Sequence, residues 1–150
     1  MPNWCENTFT VEGAEKEVQR FKQLAKPKET QAGVDLLLAS LYPLPEGVYQ
    51  GDLGPDESQK YGKNNWREWC ITHWGTKWDV DATLTNESPD FLVYEFESAW
   101  SPPVAWLTKV ARDFPRLRFT LIYDEPGMGF AGTAIADQGK LIIDDCKEYA

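Results

Sequence analysis

Thirteen residues from Trp66 to Trp78, reading WREWCITHWGTKW, hold four of the chain's seven tryptophans, one of its three cysteines and its only histidine. Cys70 and His73 stand one helical turn apart, so both can reach one metal, and with Cys5 and Cys146 they make up a Cys3His set of the kind zinc takes. The same pair has the makings of a thiol and its base, a chemistry that also needs an exposed thiolate and donors for an oxyanion. Neither set is complete: no second closely spaced ligand pair accompanies the first, and a thiol packed among tryptophans has its ionised form disfavoured. Stacking is the third chemistry on offer. Trp66, Trp69, His73, Trp74 and Trp78 can line a pocket for a nucleotide or other small molecule, since any base offers a face to an aromatic ring. Ser101 lies outside any G-x-S-x-G elbow. Gly127-Met128-Gly129 joins two predicted strands after Asp124 and Glu125, so it reads as a turn rather than a phosphate cradle. No complete catalytic motif is present, the expectation is a protein that is not an enzyme, and no metal or cofactor is implied.

A second constellation begins where the first ends. Residues 78–85 and 91–98 alternate in polarity around Asn86-Glu87-Ser88-Pro89-Asp90, the pattern of a hairpin. Paired, they bury Val80, Ala82, Leu84, Leu92, Tyr94 and Phe96 and leave Asp79, Asp81, Glu95 and Glu97 on the other face. Glu6 and Glu12 of an earlier strand, with Arg118 and Asp124 of a later one, project to that same side. Like charges opposite one another destabilise a sheet by several tenths of a kcal/mol per pair. Such a face is therefore expected to be offset by lysines or Arg67 folded over it, by a divalent cation, or by a basic protein partner. The partner-binding residues expected on this ground are Asp79, Asp81, Glu95, Glu97 and Glu6.

The elements that must position these groups follow from periodicity. Asn3–Glu12 alternates as a half-buried strand; Val18, Phe21, Leu24 and Ala25 give a helix over 14–26, which Pro27 ends. Residues 28–64 are rich in glycine and proline, and with the helix that Asn65 caps they form an insertion over about 28–75. After the hairpin, Ser101-Pro102 opens a second main helix with the stripe Val104, Leu107, Val110, Ala111 and Phe114. Arg118–Asp124 is a further strand, and a closing hairpin over 130–136 and 140–144 turns at Asp137-Gln138-Gly139. The order strand, helix, strand, strand, helix, strand predicts one α+β domain: a ferredoxin-like βαββαβ antiparallel sheet with two helices on one face, an insertion after helix one carrying an extra Trp-rich helix, and a C-terminal β-hairpin.

Composition narrows the function classes. A chain of 150 residues with 42% hydrophobic content can build one core without disulfides. Three widely spaced cysteines and the polar start MPNWCEN suit a reducing cytoplasm. No apolar run approaches the roughly 20 residues of a membrane span. With 24 acids against 15 bases the net charge is −9, which disfavours direct nucleic-acid binding and anionic lipid surfaces. An RNA-recognition mode on the open sheet is equally disfavoured, because Glu6, Thr8, Thr10, Asp81 and Glu95 stand where paired aromatics and bases are needed.

Four blocks carry a resemblance: MPNWCEN at the start, WCITHWGTKWD over 69–79, AWSPP over 99–103 and EPGMGFAG over 125–132. Together they resemble the YubB-type ferredoxin-like family of small proteins from bacterial plasmids, phages and prophages, a domain of unknown function. The resemblance implies the fold, a mobile-element origin and a bacterial host cytoplasm, and it transfers no catalytic residue. The expected function is a non-enzymatic acidic module that binds a basic protein, with nucleic-acid mimicry as one version, and a small-molecule or nucleotide binder built on the tryptophans as the alternative.

Overall fold

The computed structural model describes residues 3–149. Strict alternation along β1 (Trp4–Glu12) sends Cys5, Asn7, Phe9 and Val11 to a buried face and Trp4, Glu6, Thr8, Thr10 and Glu12 to the other. Buried on one side only, β1 is the strand that others pair around. It joins β3 (Phe91–Ala99) and β4 (Arg118–Glu125), both antiparallel. With β2 (Thr83–Ser88), β5 (Phe130–Asp137) and β6 (Lys140–Glu148) the sheet order is β2-β3-β1-β4-β5-β6. The first four strands reproduce the expected ferredoxin-like arrangement, and the closing hairpin extends it beyond β4. That hairpin turns at Gln138 and Gly139, both at positive φ of 52° and 80°, as a two-residue loop between right-twisted strands requires.

Two amphipathic helices cover the inner face. α1 (Glu15–Ala25) buries Val18, Phe21 and Ala25, and α5 (Val104–Asp113) buries Trp106, Leu107, Val110 and Ala111. Their rings meet at Phe9, which stacks on Phe119 at 5.7 Å and takes the edge of Trp106 at 5.5 Å. Each such large side chain withdrawn from water contributes about 1.5–3 kcal/mol, so this aromatic knot dominates the core.

The segment between α1 and β2 contains α2 (Leu38–Leu41), α3 (Pro55–Tyr61) and α4 (Trp66–His73). α4 is the helix expected from sequence, with Asn65 accepting the Glu68 N–H at 3.0 Å as its cap. α2 and α3 were not foreseen. An indole donor holds the segment to the body, Trp106 Nε1 to the Leu38 carbonyl at 3.0 Å, and a second, Trp74 Nε1 to the Tyr42 carbonyl at 2.9 Å, ties two parts of the segment together.

Two expected boundaries are corrected. The strand expected over 78–85 begins only at Thr83, because Ala82 forms a bridge with Leu36 and Asp79 caps α2; it then runs to Ser88, leaving Pro89 and Asp90 as the turn. The second main helix starts at Val104 rather than at Pro102, and the Ser101 hydroxyl donates to the Gly75 carbonyl instead of capping it. No helix is long and apolar enough to cross a membrane among the described residues.

Candidate acidic groove on the open sheet face

Because β1 lies between β3 and β4, the residue opposite Glu6 on one side is Glu97 and on the other is Asp124. Neighbouring strands are about 4.8 Å apart, so three carboxylates stand in a line across the sheet at that interval. The adjoining row is Glu95, Thr8 and Ile122. These two rows floor an open groove of about 850 Å³ that Trp4, Trp78 and Asp81 border at one side. The Trp4 and Trp78 rings are 6.2 Å apart and inclined at 48°.

The floor carboxylates form no ion pair among the described residues. Among the described residues the ion pairs are Arg20–Glu17, Lys22–Glu87, Lys109–Asp113, Arg118–Asp137 and Lys147–Asp145, none of which includes Glu6, Asp81, Glu95, Glu97 or Asp124. Arg67 does not line the groove. Asp124 instead accepts the Tyr149 hydroxyl. That bond, with partial desolvation and the charges of Asp124, Glu125 and Glu6, pushes the Tyr149 phenol up to about 12, so it stays a donor at neutral pH.

Asp79 departs from the sequence reading. Its carboxylate accepts the Leu38 and Ala39 N–H groups at 2.7 and 3.1 Å and that of Val80 at 2.8 Å, which makes it the N-terminal cap of α2. Burial raises its pKa, the three N–H bonds oppose that shift, and the Asp81 charge adds to it. Although Asp79 borders the groove, its oxygens are committed to architecture. Asp124, placed on this face by its strand but not counted among the binding residues, takes its place in the acidic row.

The tryptophan block separates into different environments. Trp74 is 2% exposed and sits in the core, whereas Trp66 is half-buried with its Nε1 on the Gly51 carbonyl. Trp69 packs on His73 at 4.7 Å and takes Trp74 edge-on at 5.6 Å. The shared pocket expected for Trp66, Trp69, His73, Trp74 and Trp78 is therefore not one cavity, because an amphipathic helix turns its rings onto the body it covers. Trp69 and His73 border a separate groove of about 210 Å³ with Lys63 and Glu68, and Trp78 belongs to the acidic one.

The thiol readings fare similarly. Burial and then the Asp79 charge push the Cys70 thiol up to about 12, and His73 Nδ1 is hydrogen-bonded at 3.0 Å to the Tyr42 hydroxyl. Burial likewise pushes Cys5 up to about 12 within β1, while Cys146 is exposed on β6. Among the described residues no three His, Cys, Asp or Glu side chains are placed to share a metal. Gly127-Met128-Gly129 is the turn expected, with Gly129 at φ 77° and its N–H on the Glu125 carbonyl at 2.8 Å.

Three groups on or next to the groove are absent from the sequence reading: Trp4 lines it, and Lys77 and Trp100 lie behind Trp78. Trp4 has the same strand parity as Glu6, a signal that was available. Lys77 and Trp100 carried none: the Lys77 ammonium lies 4.6 Å from the Trp78 ring centre and 4.7 Å from that of Trp100, a contact between residues 23 apart.

Comparison with known proteins supports the architecture. No curated protein matches the chain. A crystal structure of the protein Api92 from Yersinia pseudotuberculosis superposes with a TM-score of 0.65, covering 100% of this chain and 99% of that one at 11% identity, a likeness of fold alone. A family model described as "Ferredoxin-like domain in Api92-like protein" matches residues 73–150, which run from the end of α4 through the whole acidic hairpin and the closing strands. With more than half its length matched, the chain belongs to this Api92-like ferredoxin-like family, a domain of unknown function.

Proposed function

We propose that the chain is a non-enzymatic interaction module that docks a basic protein segment on its open sheet face. The observation that carries this reading is the row Glu97–Glu6–Asp124, three carboxylates in direct cross-strand register, none of which is in an ion pair among the described residues. A sheet keeps such a row at a cost in stability, and a partner that supplies the missing positive charge recovers it. Nucleic-acid mimicry is the form this takes when the partner's basic surface otherwise holds DNA. The four sequence blocks support a plasmid or phage origin, and a polar, net-acidic chain suits the host cytoplasm.

Affinity capture from a bacterial host lysate tests the reading. Partners retained by the wild-type chain should have basic surfaces and should be lost, by tenfold or more, when Glu6→Gln, Glu97→Gln and Asp124→Asn are combined. A specific partner held equally well by that triple variant overturns the proposal. The alternative, a small-molecule or nucleotide binder on the tryptophan block, has the tilted Trp69–His73 pair beside the 210 Å³ groove, which is smaller than the roughly 300–1,000 Å³ usual for ligand pockets, while Trp78 lies apart in the acidic groove.

A further inference from the structure

The acidic groove has an aromatic rim, and that rim already holds a cation. Lys77 Nζ sits 4.6 Å from the centre of Trp78 and 4.7 Å from that of Trp100, well inside the roughly 6 Å over which a ring face attracts an ammonium. Among the described residues Lys77 has no carboxylate within ion-pair distance, so the two rings are its principal electrostatic partners. Trp78 lines the groove itself and packs against Trp4, 40% exposed on the same sheet face as Glu6. Trp100 is presented from a backbone at φ 71°, a conformation that side chains other than glycine rarely adopt. A large ring held at such a position, 43% exposed, has little to gain from packing.

We propose that Trp78 and Trp100, with Trp4 beside them, form a cation seat at the rim of the acidic groove. Lys77 occupies this seat in the free protein, and an arginine side chain of the basic partner takes it over on docking. The inference rests on the reading of the open face as a dock for a basic segment and specifies how that segment is gripped. Arginine fits best because its flat guanidinium can lie against a ring while its N–H groups reach a carboxylate, and Glu6, Glu97 and Asp81 border the same groove. Lys77 then acts as an internal competitor that keeps the rings apart and solvated until a better cation arrives.

A double-mutant cycle between Lys77 and Trp78 tests this, with an acetylated Gly-Arg-Gly-Arg-Gly amide peptide as probe and calorimetry as readout. Lys77→Met should tighten binding about fivefold beyond whatever Lys147→Met does; Lys147 is 80% exposed on the same sheet face, so its loss matches the change in charge without touching a ring. Trp78→Leu should weaken binding about fivefold, and in its background Lys77→Met should have no more effect than Lys147→Met. Trp100→Gly, which suits the positive φ and so protects the fold, should weaken binding in the same direction. Equal effects of the two lysine changes, or an unchanged affinity in Trp78→Leu, overturn the seat. If the peptide is then still released by the Glu6, Glu97 and Asp124 amide variant, basic docking stands and only the seat falls. If the amide variant binds as well as wild type, the docking reading falls with it.

Discussion

Asp79 and Asp81 are two positions apart and look equivalent in sequence, yet one is spent on the backbone and the other faces solvent. The difference has a titration signature. Burial holds the folded-state pKa of Asp79 above its unfolded value, so the folded protein binds the proton more tightly. Its contribution to stability is present at acid pH and is lost as pH rises through the raised value. Asp79→Asn removes that titration while keeping one acceptor for the α2 amides. Urea unfolding of both proteins should show the wild-type advantage shrinking as pH increases from about 4 to 7, the window that opens at the ordinary aspartate pKa. A difference that stays flat across this range would mean that burial does not outweigh the three N–H bonds and that the pKa of Asp79 is not raised in the folded state.

At the scale of elements, the tryptophan helix serves chiefly as a fastening. Trp74 closes α4 onto the core and donates to the Tyr42 carbonyl just beyond α2, so one side chain links two parts of the segment between α1 and β2. Trp74→Phe keeps an aromatic ring but removes the donor and leaves a small cavity; a loss of about 2 kcal/mol is expected in denaturant unfolding. Amide hydrogen exchange at Tyr42, whose N–H closes α2, should quicken while capture of a basic partner is unchanged. Loss of partner capture at full stability would return a binding role to the block. Much of this layer was legible because it is local: the alternation of β1 and β4, the stripes of α1 and α5, the Asn65 cap and the turn at Gln138-Gly139 each lie within a dozen residues. What was not legible depends on distant partners. The alternation of 78–85 reads as strand, but Leu36 claims Ala82 and the α2 amides claim Asp79, contacts over 40 residues or more of chain. The acidic face itself could be read from parity. Its row could not, because the row depends on the register of β1 against β3 and β4, whereas the hairpin alone suggested Asp79 and Asp81 opposite Glu95 and Glu97.

For the whole molecule, the net charge of −9 sets a background repulsion that the row concentrates on one face. Glu6 bears the largest share, since both of its cross-strand neighbours are acids. Glu6→Gln removes two like-charge pairs at once and should raise stability by about 0.5 kcal/mol at low ionic strength. The gain should fade toward zero near 1 M salt, where screening acts within about 3 Å. The same substitution should weaken capture of a basic partner, so one residue moves stability and binding in opposite directions. That pairing is the mark of a side chain retained against the interest of the fold. A Glu6→Gln variant that is less stable than wild type at low salt would show instead that the row is held by favourable contacts, and the case for a basic partner would lose its physical ground.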